Sequence, residues 1–422
     1  MKSDVEALAI EYPNLLPLVR APKGYQLLLG LTLLVIAWGV YVYTLQWRVG
    51  LAVTGMSNPA TWALYIVNFV FFIGASAGGI IVGAIAYALG IERFRPVARI
   101  AELGAISCLV LATIFIMLDL GRPERFWHLL RYPQFESPLI WDVMIIGIYL
   151  AIAMALGYFA TRPDLVRCME ALPRRRGLYR LLALGYTDLS PSALARERRV
   201  LKVLAAVSIP AAVLLHSITA WILGLVKAQP GWHSALIAPL FIVSAVVSGL
   251  ALVILAAVFS RLFLGLKIGE EVIWSLGRIL FFSIPVLGYF LFAEMLTVVY
   301  PRVPAGVHVF SQMMFGPYAG LFWFDLVGGL IVPFLLLAFP RTRTVGGIGF
   351  ASFLVVLGVL AERWNIVIPP LLGHTNLPYP PGGYTPTWPE LSLTVAAYAV
   401  GLLVYLVLAK LLPLVELEEG RG

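Results

Sequence analysis

The chain has 422 residues, of which 61% are hydrophobic and only 12% carry a charge, and its mean hydropathy is +0.92. Because a soluble domain has about 25% charged residues, this composition excludes an ordinary soluble enzyme. The one long polar segment, 162–202, is too short for an enzymatic domain of typical size. The formal net charge of +8 does not require nucleic acid as a partner, since its distribution along the chain indicates membrane orientation.

Ten stretches are long and apolar enough to cross about 30 Å of hydrocarbon, which takes about 20 residues. They lie near 25–46, 60–90, 97–119, 139–161, 203–226, 234–260, 272–299, 318–339, 347–368 and 391–412. The first 24 residues lack the basic and apolar regions of a signal peptide. The sequence therefore predicts an all-α integral membrane protein of about ten transmembrane helices.

The orientation follows from the lysine and arginine residues. With the N-terminus inside, 23 of the 30 fall on inner segments and 7 on outer segments. Since positive charge accumulates on the cytoplasmic side, we expect both termini to be cytoplasmic in the inner membrane.

Spans two to five and spans six to nine have the same orientation, as in a duplicated four-helix unit. Trp141-Asp142 opens the fourth span and Trp323-Phe324-Asp325 opens the eighth. Small residues at 74–79 and 244–249 predict close helix packing. We expect two four-helix bundles plus two peripheral helices. The units are 1–24 (N-terminal interfacial segment), 25–59 (first span and outer loop), 60–232 (bundle 1, with the basic inner loop 162–202), 233–370 (bundle 2) and 371–422 (outer loop, last span and inner tail).

Ionisable residues inside spans are costly and often functional. Those of this chain are Glu102, Asp119, Asp142, His216, Glu294, Asp325, Glu362 and Arg363. Several fall near outer ends of spans, which predicts an outward-facing polar pocket. Acidic residues with histidine and aromatic rings suit a quinone, whose reduction and oxidation move protons as well as electrons. The alternative interpretation is structural: Glu362 and Arg363 pair with each other, Asp119 and Arg122 fix a helix end, and His216 is a hydrogen-bonded core residue.

No electron carrier is evident in the chain itself. A haem between spans needs paired histidines, and only His216 lies near the middle of a span. Cys108 and Cys168 are too few for an iron–sulfur cluster, which takes four ligands. We therefore expect no haem or iron–sulfur cluster in this chain.

Four segments resemble the NrfD/PsrC family of polysulfide reductase-type membrane subunits. They are Trp62-Ala-Leu-Tyr65 with the glycine-rich run to Gly79, then 118–128, 137–142 and 232–241. The segment from Tyr384 to Glu390 resembles the longer ten-span branch, which includes hydrogenase, sulfite-reductase-associated and alternative complex III membrane subunits. The resemblance covers about residues 25–412.

The resemblance implies a quinone/quinol-reactive membrane anchor of a multi-subunit respiratory oxidoreductase, with menaquinone or ubiquinone as its only bound cofactor and proton translocation as an added function. The implied partners are a four-cluster ferredoxin-like iron–sulfur subunit at the outer face, further catalytic or cytochrome subunits, and membrane lipid, with no nucleic acid. The implied catalytic residues are Asp142, His128, Asp119 and Glu294. The implied quinone-binding residues are Trp62, Tyr65, Arg122 and His216. The implied residues of a proton path are Glu102 and Asp325.

On this hypothesis quinol lies near the outer ends of spans two to five, and Asp142 or His128 accepts a proton. Two alternatives stay open. A duplicated bundle with intramembrane acids also fits an ion- or proton-translocating, transporter-like subunit. A purely structural membrane anchor is the third interpretation. The outer loop 371–389 is expected to contact an extramembrane subunit or to form a self-packed lid.

Overall fold

The computed structural model describes residues 15–19, 21–373, 383–415 and 417. Within this part of the chain ten helices are long and apolar enough to span a membrane, and no strand occurs, which confirms the all-α, ten-span prediction. The spanning helices are α1 (Lys23–Val53), α2 (Leu64–Ala88), α3 (Glu92–Asp119), α4 (Pro138–Ala171), α5 (Pro191–Gly224), α6 (Ile237–Phe263), α7 (Glu270–Val299), α8 (Ala319–Ala338), α9 (Val345–Gly373) and α10 (Trp388–Leu411). The end that carries the loops after α1, α3, α5, α7 and α9 is called the outer end, and the opposite one the inner end.

Local sequence explains several helix boundaries. Proline occupies the first turn of α4, α5 and α10, where its missing N–H costs nothing. The Ser190 hydroxyl caps α5 by accepting a hydrogen bond from the Ala193 N–H at 3.3 Å. At α10, Thr387 and Glu390 form a capping box. These signals begin α4 and α10 close to the predicted residues 139 and 391, whereas α5 begins at Pro191, well before the predicted residue 203.

The segment predicted as the inner loop 162–202 is largely helical. Helices α4 and α5 have 34 residues each and run ten or more residues into it. At about 1.5 Å per residue each is about 51 Å long, well beyond the ~30 Å of hydrocarbon. The two helices therefore extend out of the membrane at the inner end, with the short helix Arg176–Leu182 between them.

The inner extension is fixed to the chain termini by a buried carboxylate. Asp164 accepts hydrogen bonds from Arg99 and Arg167, each at 2.6 Å, and from the Leu417 N–H at 2.9 Å. Leu15 and Leu18 pack against the same region as part of a second apolar cluster. This is the described part of the predicted N-terminal interfacial segment. The remainder of 1–24 lies outside the described residues.

Helix α2 lies at the centre of the molecule and packs on α3, α5, α6 and α9. Its crossing with α6 needs glycine on both helices, because a Cβ on Gly78 would overlap the backbone of Gly249, and the reverse. Both residues come from the small-residue runs noted in the sequence. Helices α1 and α10 pair with each other, and α10 also packs on α3. Since α2 and α6 touch so closely, the division into two bundles at residue 232 stays a prediction.

Helix α8 contains a π-helical stretch, Phe324–Ile331, which accommodates an extra residue relative to an α-helix. The two proposed repeats differ by one residue at this place, since Trp141 directly precedes Asp142 whereas Phe324 separates Trp323 from Asp325. The indole N–H of Trp141 donates to the Phe135 carbonyl, and that of Trp323 donates to the Met314 carbonyl near the end of the short helix Pro304–Phe315. The π-helical stretch begins at Phe324, the residue that separates Trp323 from Asp325.

Candidate functional site

A buried polar chain lies at the outer ends of α1, α2 and α3. The Tyr65 hydroxyl donates to Gln46 Oε1 at 2.8 Å, and Gln46 Nε2 donates to the Leu118 carbonyl at 2.7 Å. Both side chains are almost fully buried. The next residue, Asp119, has a buried Oδ1 with no hydrogen-bond partner among the described residues. A buried hydrogen-bond acceptor without a donor, Asp119 Oδ1, therefore lies next to the hydrogen bonds of Tyr65 and Gln46.

Glu390 at the start of α10 completes this group. Its side chain is fully buried and accepts from the Gly55 N–H at 2.7 Å, the Tyr384 hydroxyl at 2.8 Å and the Thr387 N–H at 2.9 Å. Burial and the nearby charge of Glu390 raise the pKa of Tyr384 far above its usual value, so that it remains a donor. We call Gln46, Tyr65, Asp119, Tyr384 and Glu390 the outer cluster.

A cleft of about 310 Å³ opens at the same end, between the end of α1 and the segment after α3. Its walls include Gln46 of the outer cluster, the aromatic rings of Tyr43 and Trp47, and Arg122. Arg122 is exposed, and no ion pair joins it to Asp119 in the part of the chain that is described. The predicted helix-end pair of these two residues is therefore not formed.

Asp142 and His128, the two predicted proton acceptors, lie in different surroundings. Asp142 is 2% exposed and accepts a hydrogen bond from the Thr219 hydroxyl at 2.6 Å, which ties α4 to α5. His128 lies in the short helix Trp127–Arg131, is exposed, and meets the ring of Tyr132 edge-on. Trp62 is stacked on Trp232 with ring centres 5.7 Å apart, and so contributes to an aromatic pair between two outer loops.

His216 lies deep in the protein next to a buried arginine. Its Nδ1 is 2.6 Å from the Ala212 carbonyl, and its Nε2 forms no hydrogen bond within the described ranges. Arg363 is 1% exposed and lies over the ring of Phe241 at 4.3 Å. It donates to Glu362 Oε1 at 3.4 Å, as the structural interpretation predicts. Glu362 also accepts from the Ser244 hydroxyl at 2.5 Å.

Glu294 and Asp325 both line a cavity of about 210 Å³ enclosed by α6 to α9 and the short helix Pro304–Phe315. Glu294 Oε2 accepts from the Ser234 hydroxyl at 2.7 Å. Asp325 Oδ2 lies 3.5 Å from the Asn365 amide nitrogen. The structure thus brings these two predicted residues together, but apart from the outer cluster.

Glu102 lies in the inner half of α3 and is 4% exposed. Two glycines leave space around its carboxyl group. A Cβ atom added to Gly83 would lie 3.5 Å from one carboxyl oxygen, and a Cβ atom added to Gly157 would lie 3.9 Å from the other. Tyr87 faces the same carboxyl group. Ser107 donates to the Leu103 carbonyl at 2.9 Å, so its hydrogen is used within its own helix.

No group of three or more histidine, cysteine, aspartate or glutamate side chains suited to a metal ion occurs in the described part of the chain. Cys108 and Cys168 are both buried and free.

Comparison with known proteins decides the family. The model of the family described as "Polysulphide reductase, NrfD" matches residues 52–372. The chain belongs to this family. It is 34% identical over 403 residues to a putative dimethyl sulfoxide reductase membrane subunit of Halobacterium salinarum, and the match covers 90% of this chain and 89% of the relative.

Two further relatives are similar along much of their length. A selenate reductase subunit of Mesobacillus selenatarsenatis is 28% identical over 401 residues, which is 90% of this chain and 92% of that protein. The Hdr-like menaquinol oxidoreductase integral membrane subunit of Archaeoglobus fulgidus is 29% identical over 340 residues, 79% and 76% of the two chains.

The NrfD match leaves most of α1 and all of α10 outside, and these helices supply Gln46 and Glu390 to the outer cluster. Neither residue was predicted as a site residue, nor were Tyr384 and Asn365, although Tyr384 and Glu390 bound the segment that resembles the ten-span branch. Gln46 and Asn365 are polar but not ionisable, so a search for intramembrane charge does not find them. Glu390 has a local signal, since Thr387-x-x-Glu390 is a capping box, but that motif predicts only a helix start.

Proposed function

We propose that this chain is the quinone/quinol-reactive membrane subunit of a multi-subunit respiratory oxidoreductase, and that its quinol site lies at the outer cluster and the adjoining cleft. The observation that carries the proposal is the buried, unpartnered Oδ1 of Asp119 beside the Tyr65–Gln46 hydrogen bond. A buried acceptor without a donor is rare in proteins and needs an explanation, such as a ligand. The relative named as a menaquinol oxidoreductase subunit supports the ligand class.

The residues present fit a quinone ring. Tyr43 and Trp47 offer aromatic walls, Arg122 offers a cation with several donors, and Asp119 offers the open acceptor. A bound quinol supplies two electrons and two protons. Within the chain, Asp119 accepts a proton, Tyr65 keeps Gln46 in place, and Arg122 balances charge at the mouth of the cleft.

The other predicted site residues keep their proposed roles around this centre. Asp142 and His128 serve as further proton acceptors, with Asp142 held by Thr219 and His128 exposed at the surface. Trp62, His216 and Glu294 remain proposed quinone-site residues, although each belongs to another contact group here. Glu102 and Asp325 remain candidates for a proton path, one in each half of the molecule.

For the environment of the chain we propose the cytoplasmic membrane with both termini inside, from the 23-to-7 distribution of lysine and arginine. The electrons then pass to or from an iron–sulfur subunit at the outer face, with further catalytic or cytochrome subunits beyond it. The exposed segment between α3 and α4 suits that contact, since it presents Arg122, Arg125, Arg131 and His128 close to the cleft.

Two aspartate-to-asparagine variants test the proposal in the purified complex. Asparagine keeps the size and the acceptor oxygen but does not take up a proton, so Asp119→Asn and Asp142→Asn should each lower quinol-dependent turnover by about 10²- to 10⁴-fold. Asp188→Asn is the matched control, because Asp188 is exposed at the inner end. Size-exclusion chromatography checks assembly.

Wild-type turnover in an assembled Asp119→Asn complex would refute the placement of the site. Ion flux by the isolated chain in liposomes, without redox partners, would favour the transporter-like function instead. A complex that retains no quinone and loses nothing in either variant would identify a purely structural anchor.

A further inference from the structure

The cavity in the second half of the molecule has mostly apolar walls and a polar base. Its apolar lining comes from α6, α7 and the short helix Pro304–Phe315, with residues such as Leu240, Leu291, Phe310 and Met313. Phe292, which also lines it, is 53% exposed on the lipid-facing side of α7. The cavity therefore reaches a side chain that is also exposed on the outside of the helix bundle.

The polar side chains that line the cavity offer acceptors. They are the carboxyl groups of Glu294, Asp325 and Glu362 and the amide of Asn365. The donor among these four, the Asn365 amide nitrogen, lies 3.5 Å from Asp325. The Asn365 side-chain oxygen is buried, in a residue 3% exposed, and has no partner in the described ranges. It is an open acceptor of the same kind as Asp119 Oδ1.

The hydrogen bonds to the acids use one oxygen each on Glu294 and Asp325. Ser234 donates to Glu294 Oε2 and Asn365 to Asp325 Oδ2, while Glu362 is paired with Arg363 and Ser244. Glu294 Oε1 and Asp325 Oδ1 accept no hydrogen bond from the residues that the structure describes. Glu362 thus has Arg363 and Ser244 as partners, whereas Glu294 and Asp325 each keep an oxygen without a donor, and a charged carboxylate in an apolar environment is costly without a donor or a cation.

We propose that this cavity is a second, non-catalytic binding site for the ring of a hydroquinone, and that it binds the reduced form in preference to the oxidised form. A hydroquinone carries two hydroxyl donors on an apolar ring, which matches open acceptors between apolar walls. The oxidised quinone has only acceptors, so it could bond to the Asn365 amide but would leave the open acceptors without a donor, whereas the hydroquinone supplies them with donors. The inference rests on the proposed function in one respect, that quinol reaches this chain.

The size of the cavity limits what enters. Pockets that enclose a drug-sized ligand have volumes of about 300–1,000 Å³, so about 210 Å³ holds a ring system but not a long isoprenoid tail. The tail leaves past Phe292 into lipid. No redox step takes place in this site. It holds quinol inside the protein, apart from the outer cluster.

Anaerobic equilibrium binding of radiolabelled menadiol to the quinone-depleted complex in nanodiscs tests the proposal. We expect two equivalents per complex, and one in Gly288→Leu. Gly288 lines the cavity, and a Cβ there meets no atom within 4 Å, so leucine fills the cavity without displacing the backbone. Gly147→Leu is the matched control, since an added Cβ there also meets nothing and the residue is exposed on α4. It should retain two equivalents.

Asn365→Leu provides a second arm that leaves the volume of the cavity nearly unchanged. Loss of one hydrogen-bond acceptor should weaken the second equivalent by about tenfold. Menadione, the oxidised probe, should bind with one equivalent in every variant that retains the outer site. Asp119→Leu should remove the other equivalent of menadiol and leave the cavity equivalent in place.

The outcomes separate the two proposals. Two equivalents in Gly288→Leu, or equal binding of menadione in the cavity, would overturn the second site and leave the proposed function intact. If Gly288→Leu loses one equivalent of menadiol and Asp119→Leu loses none, the result would support the cavity site and overturn the outer site. Binding of ²²Na⁺ that is lost in Asp325→Asn, with no menadiol in the cavity, would assign it to a cation. A cavity that binds neither probe is filled by water, and the second site falls.

Discussion

The outer cluster and the cavity in the second half differ in how their buried polar groups are hydrogen-bonded, and an unbonded polar group is costly inside a membrane protein. In the outer cluster, nearly every polar atom has a partner within the cluster or on the adjoining backbone, as the bonds to Glu390 show. In the cavity, three acids and Asn365 face apolar walls, and the buried Asn365 side-chain oxygen has no partner among the described residues. The first region is closed by its own hydrogen bonds except at Asp119 Oδ1, the open acceptor of the proposed quinol site, whereas the second leaves more of its polar base open to a ligand.

The difference arises from the peripheral helices. Helix α10 packs on α1, α3 and α2, and so covers the first half of the molecule. It delivers Glu390 to the outer cluster, Tyr384 lies just before its first turn, and α1 delivers Gln46. In the second half, α10 meets α6 where the Tyr405 and Ser260 hydroxyls lie 2.8 Å apart. Among the described residues neither α1 nor α10 lines the cavity, and its polar residues remain exposed to it. The two units predicted from the sequence thus differ in chemistry because of what packs beside them.

The largest effect that tests this comparison is on stability. Glu390→Gln replaces one carboxylate oxygen by a donor, so that bonds from Gly55, Thr387 or Tyr384 are lost in a fully buried position. We expect a loss of about 3 kcal/mol in the free energy of unfolding. In the cavity, Glu294→Gln keeps an oxygen for Ser234 and should cost less than about 1 kcal/mol.

Thermal unfolding of both purified variants, alongside the wild type, measures the difference. Glu92→Gln is a control for the substitution itself, because Glu92 is exposed and forms an ion pair with Arg95 at 3.7 Å. Equal losses of stability in Glu390→Gln and Glu294→Gln would show that both regions depend on their own hydrogen bonds to the same extent.

A smaller effect is expected on turnover. Tyr65→Phe leaves Gln46 Oε1 buried without its donor, so the side chain of Gln46 loses its fixed position at the wall of the cleft. Quinol-dependent kcat/KM should fall by about tenfold, which corresponds to the loss of one hydrogen bond. Tyr158→Phe is the control, since its hydroxyl donates to the Ala183 carbonyl at the inner end. Equal values of kcat/KM in Tyr65→Phe and Tyr158→Phe would show that Tyr65 does not contribute to the site.

The smallest effect concerns pH. Because the pKa of Tyr384 is raised by burial and by Glu390, its hydroxyl stabilises the fold while it is protonated. That contribution is complete below about pH 10, the pKa of an unfolded tyrosine, and is lost as the pH rises towards the higher folded value. The melting temperatures of wild type and Tyr384→Phe should therefore differ by a constant amount from about pH 7 to 9 and approach each other above about pH 10. A constant difference up to about pH 11 would contradict this.

Hydropathy predicts the ten spans because burial of apolar surface is a local property of each segment. It underestimates α4 and α5 at the inner end, where Arg162, Arg167 and Arg196 lower the hydropathy although the helices continue.

The site is predictable only in part. Asp119 and Tyr65 are found as candidates from the sequence, because polar groups in spans are conspicuous and because Tyr65 belongs to a family motif. The bonds that close the outer cluster are not, since Gly55 and Glu390 are 335 residues apart in sequence and meet only in the folded chain. The unbonded state of Asp119 Oδ1 is likewise visible only in three dimensions.

The meeting of Gly78 and Gly249 sets how the two halves of the molecule can move. With no side chain on either residue, the backbones of α2 and α6 touch at one point, and Gly79 brings α3 into contact just beside it through Ala101 and Ala105. Sliding along this crossing would drive neighbouring side chains into the opposite backbone. Rocking about it would not, so the crossing acts as a pivot: a tilt that separates the two halves at the outer end must bring them closer at the inner end.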